Sequence, residues 1–189
     1  MVTTGLLLFG LFGVILSHTT HPGRTCPEVT PFPNLTLDKV LGSWYVTHQF
    51  DTDNTCVRWT LSQSEQPDHL NLLENRKKTS LLNIFGYNHP NTVSADIEIL
   101  NSTVPAKGRI DWSNSPSGKA DFIIFDTDYE SYMAVFECNI AGFVHRRSVI
   151  ILAKAPILDD IYLKRVQRLL TNMEIPYDEL DTISHSACN

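Results

Sequence analysis

The sequence predicts an all-β domain, an antiparallel meander of eight short strands with one helix after it. Three observations carry that prediction. Apolar segments of strand length recur between residues 42 and 154, each bounded by turn residues. Nothing convincing within that span has helical periodicity, and one amphipathic helical pattern follows Pro156.

The chain opens MVTTGLLLFGLFGVILSHTTHPG, in which residues 5–16 are apolar or glycine. A bilayer-spanning helix needs about 20 apolar residues, so residues 1–20 read as a secretory signal peptide with cleavage between residues 17 and 21, although Lys and Arg are missing from its start. About 170 residues remain, enough for a single domain over 21–189. Residues 25–40 carry Pro27, Pro31 and Pro33 and form an irregular leader.

The eight strand segments are 43–50, 56–63, 69–76, 92–100, 107–113, 119–126, 131–138 and 147–154. Asp-Asn, Gln-Pro-Asp, Pro-Ala-Lys-Gly and Asn-Ser-Pro-Ser-Gly are among the breaks between them. Segment 79–89, TSLLNIFGYNH, fits either an extension of the third strand or an excursion from it. Strands of this number and spacing make a sandwich or a closed barrel. The second strand alternates, with Val57, Trp59 and Leu61 on one face, whereas the last two are apolar on both faces and need an outer cover. A helix over about 157–173 supplies it: Leu158, Ile161, Tyr162, Val166, Leu169, Leu170 and Met173 recur at helical spacing, and Pro176 is expected to stop it. A tail then carries Cys188 back to the body.

The formal charge of −6 argues against nucleic acid or an anionic membrane as the main partner. Cys26, Cys56, Cys138 and Cys188 form no CxxC pair, and the seven histidines form no HxH or HExxH pattern, so no metal site is expected. In an exported chain four cysteines mean two disulfides, with three pairings open. Asn34 and Asn101 head sequons and are candidate glycosylation sites. Phosphate loops, GxSxG elbows and paired-carboxylate motifs are missing from the sequence.

Taken together, these residues resemble the lipocalin family over essentially the whole mature chain. Gly42 and Trp44 match the Gly-x-Trp that opens the first strand, Thr127, Asp128 and Tyr129 match the bend between strands six and seven, and Lys154 stands where the family more often has Arg at the end of strand eight. The cysteine positions resemble the subgroup of apolipoprotein D and the insect bilin-binding, insecticyanin-like proteins. The resemblance implies an eight-stranded up-and-down calyx over about 42–154, the helix packed outside, and disulfides Cys26–Cys138 and Cys56–Cys188. It also implies that Gly42, Trp44, Thr127, Asp128, Tyr129 and Lys154 build the fold without touching ligand. Trp44 should close the floor with the Lys154 ammonium across its indole, a contact worth about 0.5–2 kcal/mol. Gly42 should let the leader pass close beneath the barrel, and the hydroxyl and carboxylate groups of the bend should cap nearby backbone.

A barrel of eight strands has room for side chains or one small ligand, and the resemblance favours the ligand. If Trp44 points inward, period two brings Val46, His48 and Phe50 inward as well. Val57, Trp59 and Leu61 then line the second strand, and the parity of Lys154 selects Leu152, Ile150 and Ser148 on the eighth. Met133, Val135 and Glu137 are taken on the seventh, where the opposite parity is as apolar. Phe122 enters because related proteins often place an aromatic near it. His48, Ser148 and Arg146 would be the polar points, and His145, Arg146 and Arg147 form a basic cluster near the open end.

The expected function is that of a secreted, extracellular carrier of a small hydrophobic ligand, such as a fatty acid, sterol, retinoid or bilin. No catalytic residue and no required cofactor are expected, a bound lipid or bilin being cargo. A cell-surface receptor or a lipoprotein would be a further partner. The competing readings are a protein-binding barrel filled by its own side chains and an isomerase with a free cysteine thiolate, for which the disulfides leave no nucleophile.

Overall fold

A computed structural model describes residues 20–23, 25–50, 52, 54–78, 92–186 and 188. The expected signal segment up to residue 19 and the ambiguous stretch 79–89 lie outside these. The strands in chain order are β1 (Thr20–Pro22), β2 (Gly42–Phe50), β3 (Asn54–Gln63), β4 (His69–Lys78), β5 (Thr92–Ile99), β6 (Lys107–Trp112), β7 (Ala120–Thr127), β8 (Tyr132–Ala141), β9 (Val144–Ala153) and β10 (Leu180–Thr182). From β2 to β9 each strand pairs antiparallel with the next, and β9 returns to β2, so the sheet is a closed barrel and not a sandwich. β1 adds to the mouth end of β9 and β10 to the mouth end of β2.

Closure needs one irregularity. Val46 pairs with Leu152 and His48 with Ile151, which leaves Thr47 as an extra residue in β2. Its hydroxyl donates to the Ile151 carbonyl at 3.1 Å. On β6, Gly108 lies so close to β5 that a Cβ there would meet the Glu98 carbonyl oxygen at 2.5 Å. Glycine is therefore required where the sheet bends.

Two apolar cores lie on the two faces of the sheet. Trp44, Val46, Leu72, Ile97, Met133 and Ile150 belong to the inner one. The outer one joins Ile123, Phe136, Val149 and Ile151 to Val166 and Leu170 of the helix α2 (Asp160–Asn172), which follows the one-turn α1 (Leu37–Val40). This is why β8 and β9 are apolar on both faces. Asp159 caps α2 by accepting from the Ile161 amide at 2.9 Å. Ile161, expected on the packed face, is 65% exposed. The helix ends before Pro176: Glu174 takes φ +57° and the Ile175 amide bonds back to the Leu170 carbonyl at 2.9 Å. A polar link from the buried Asp126 to the half-exposed Arg165 fastens α2 to β7. Asp126 accepts from Arg165 at 2.6 and 3.0 Å and from the Tyr132 hydroxyl at 2.5 Å.

The closed end is built by the three signature groups. Trp44 is fully buried, its indole N–H donates to the Val40 carbonyl at 2.8 Å, and the Lys154 ammonium sits 3.4 Å from a ring centroid. Asp128 accepts from the amides of Glu130, Ser131 and Tyr132, and the Thr127 hydroxyl bridges the Tyr132 carbonyl and the Tyr129 amide. The Tyr129 hydroxyl accepts from the Thr36 amide, tying the leader beneath the barrel. A Cβ on Gly42 would meet nothing within 4 Å, so close passage of the leader is not the reason for glycine there; its φ of +96° is. Disulfides join Cys26 to Cys138 and Cys56 to Cys188.

Candidate functional site: the mouth chamber

The barrel interior divides into two parts. Its lower part is filled: Val46, Leu61, Phe122, Met133, Val135, Ile150 and Leu152 belong to the inner core and are at most 2% exposed, as is Val57 on the mouth side of Trp59. Above them a chamber of about 330 Å³ opens toward the ends of β2 and β9.

Its base is a set of two tryptophans and two glutamates. Trp59 on β3 donates its indole N–H to Glu74 on β4 at 2.8 Å. Trp112 on β6 donates to Glu137 on β8 at 3.1 Å. The two indoles lie 5.7 Å apart, tilted by 59°. Backbone register explains the meeting: Trp59 pairs directly with Glu74 and Trp112 with Ala95, all on the inward face. Burial pushes the Glu74 carboxyl above its ordinary range, against the pull of the Trp59 hydrogen bond and of Arg76 at 3.3 Å. Burial pushes Glu137 up to about 7, against its Trp112 hydrogen bond and with the Glu74 charge adding to the rise. Ser148 faces Glu137 across the β8–β9 pair, and Arg146 faces Asn139. Arg147 bonds Glu179 at 3.0 Å.

This geometry has relatives. The chain is 27% identical over 186 residues to apolipoprotein D of Rattus norvegicus, covering 96% of this chain and 93% of that one. Lobster apocrustacyanin A1 superposes with a TM-score of 0.69 at 18% identity, over 89% of this chain and 92% of its own. Insecticyanin of the tobacco hornworm Manduca sexta gives 0.68 at 17%, over 91% and 93%. The chain has the lipocalin fold. No family model matches the sequence.

Against the lipocalin barrel, the sequence-predicted positions fall into three groups. Trp59 and Ser148 line the chamber. The eight filled positions named above face inward and are packed; seven lie beneath it, and Val57 lies on the mouth side of Trp59. His48 and Phe50 do not face the interior as expected. The Thr47 bulge reverses the parity of the rest of β2, so His48 pairs with the outward Ile151 and Phe50 joins the outer core, touching the chamber only beside the mouth. Gln49, paired with Ile150, takes the inward place. Burial lowers the His48 imidazole below its ordinary value.

Sequence reasoning missed Glu74, Arg76 and Trp112. The signal was present: Leu70, Leu72, Glu74 and Arg76 share one parity on β4, and two charges continuing an apolar face mark the change from packed core to wet chamber. His145, Arg146 and Arg147, the basic cluster expected near the open end, are residues of β9. Among the described residues no group of His, Cys, Asp or Glu could hold a metal ion.

Proposed function

We propose that the protein is an exported carrier that takes one small hydrophobic ligand through the barrel mouth. The observation that carries this reading is the contrast along the barrel axis, a sealed apolar floor below an aromatic-based chamber of about 330 Å³, near the lower bound of about 300 Å³ for ligand pockets. Likeness to apolipoprotein D and insecticyanin supports it. Two disulfides fit an oxidising extracellular compartment. A signal peptide ending at or before residue 20 completes the export reading. The exposed Asn34 and Asn101 lie toward the closed end, so glycans there would leave the mouth clear. All four cysteines are bonded, which supports a binding role and leaves an isomerase without its thiolate.

Tryptophan fluorescence tests the proposal. Fatty acids, retinoids, sterols and biliverdin are titrated into the purified full chain, with saturable quenching expected from Trp59 and Trp112 and none from the sealed Trp44. Absence of saturable quenching by every member of that panel, and by octylamine, octanol and octanoate as well, sinks it.

A further inference from the structure

Resting on that carrier reading, we propose that the mouth chamber selects a small amphipathic amine, its ammonium bound by Glu137, Ser148 and Asn139 and its apolar body lying on Trp59 and Trp112. Hydrogen bonding around the chamber leaves four side-chain oxygens over, Asn54 Oδ1 on β3 and three on the β8–β9 wall, and one donor, Arg147 Nε. Glu137 Oε1, Ser148 Oγ and Asn139 Oδ1 have no partner in the protein and are closed to a water-sized sphere, so an arriving head group must turn them toward the chamber. Glu137 and Ser148 are directly opposed on β8 and β9, and Asn139 follows Glu137 two residues on, along the same face. The Asn139 amide nitrogen is already spent on the Ser117 and Lys119 carbonyls, at 3.2 and 2.7 Å, which fixes its oxygen as the free end.

These are three acceptors on one patch of wall, and a primary ammonium carries three donors. Buried acceptors without partners are costly, and a ligand that supplies the donors removes that cost. A carboxylate head would bring only further acceptors to this patch. The indole rings beside it add an aromatic surface that attracts a cation and covers an alkyl or aryl body.

Charges from every neighbouring strand bear on this choice. Arg76 on β4 is engaged by Glu74 at 3.3 Å, and Arg147 on β9 by Glu179 at 3.0 Å. Arg146 on β9 faces the lip and opposes a cation there. β2, β3, β5, β6 and β7 bring no charged side chain to the chamber among the described residues. Glu137 and Arg146 therefore compete for the sign of the head group, and depth decides for Glu137, which sits on the tryptophan base where water is scarcest.

Octylamine, octanol and octanoate share one chain and differ only in the head, so they separate the possibilities on the full-length mature protein. At pH 8, calorimetry and tryptophan quenching should give octylamine at least about tenfold tighter binding than octanol or octanoate. Octylamine binding should weaken by about tenfold between pH 8 and pH 5.5, as Glu137 takes up a proton. Glu137→Gln should remove the amine preference and its pH dependence while octanol binding stays; the amide still accepts from Trp112, and near-UV circular dichroism checks the fold. Ser148→Ala should weaken octylamine alone. Tighter binding of octanoate, or an unchanged octylamine affinity in Glu137→Gln, overturns the amine assignment and leaves the carrier reading intact. If the larger panel binds and octylamine does not, this inference alone fails; if nothing binds, both fail.

Discussion

The two ends of the barrel solve the same problem in opposite ways. At the closed end Trp44 is buried completely, its N–H is satisfied by a backbone carbonyl and its face by an ammonium. At the base of the chamber Trp59 and Trp112 direct their N–H groups to the carboxylates of Glu74 and Glu137; the second Glu74 oxygen is met by Arg76, and that of Glu137 has no partner. One tryptophan is held by the fold and two are held ready for something else. The difference lies in what each polar group still lacks: among the described residues no buried side-chain polar atom of the floor lacks a partner, and several of the chamber wall do.

Four measurements break or sharpen that contrast. Trp44→Ala should cost about 3–5 kcal/mol in denaturant unfolding, as a large core deletion does, and Trp112→Ala less than half of that. Equal losses would mean that the chamber is part of the core. The next effect is on pH. The Glu137 carboxyl stands at about 7 in the folded chain against an ordinary 4.5, so across that window the folded state keeps a proton that the unfolded state has released. Its contribution to stability is full below the ordinary value and is lost as pH rises through about 7, on the order of 3 kcal/mol at most. Glu137→Gln should flatten that slope, read from unfolding curves between pH 4.5 and 8.

Removing the chamber carboxylate altogether should help stability. Glu137→Leu is expected to gain about 1 kcal/mol at pH 8, because a buried charge with an unmet oxygen is replaced by apolar volume. The smallest effect belongs to the floor clamp. Lys154→Met should lose about 0.5–1 kcal/mol of cation–π contact, while Lys154→Arg should hold or slightly raise stability through its planar stacking. A larger loss in Lys154→Met than in Trp112→Ala would reverse the order of the two ends.

The architecture was legible because its determinants are local. Turn residues, strand-length apolar runs and the helical spacing after Pro156 each act over a few residues, and together they delimit β2 to β9 and α2. The site was legible only where alternation runs unbroken. Val57, Trp59 and Leu61 follow period two to their inward places, and so does Ser148. On β2 a single inserted residue, Thr47, turns His48 and Phe50 outward, and nothing in THQF announces a bulge whose cause is the closure with β9. Trp112 and Glu74 posed a different difficulty. Each reads alone as an ordinary strand residue, and their meaning comes from partners on other strands, Glu137 for one and Trp59 for the other.

The two disulfides have a consequence for the chain as a covalent object. Cys26–Cys138 and Cys56–Cys188 interleave, each bond starting inside or ending beyond the loop of the other. Cut the backbone once anywhere between residues 26 and 188, and at least one bond still joins the pieces. A protease that nicks an exposed loop therefore produces no separate fragment until a reductant is added. Such a molecule should run as a single band without reductant and as two with it, and it can survive clipping with its cup still closed.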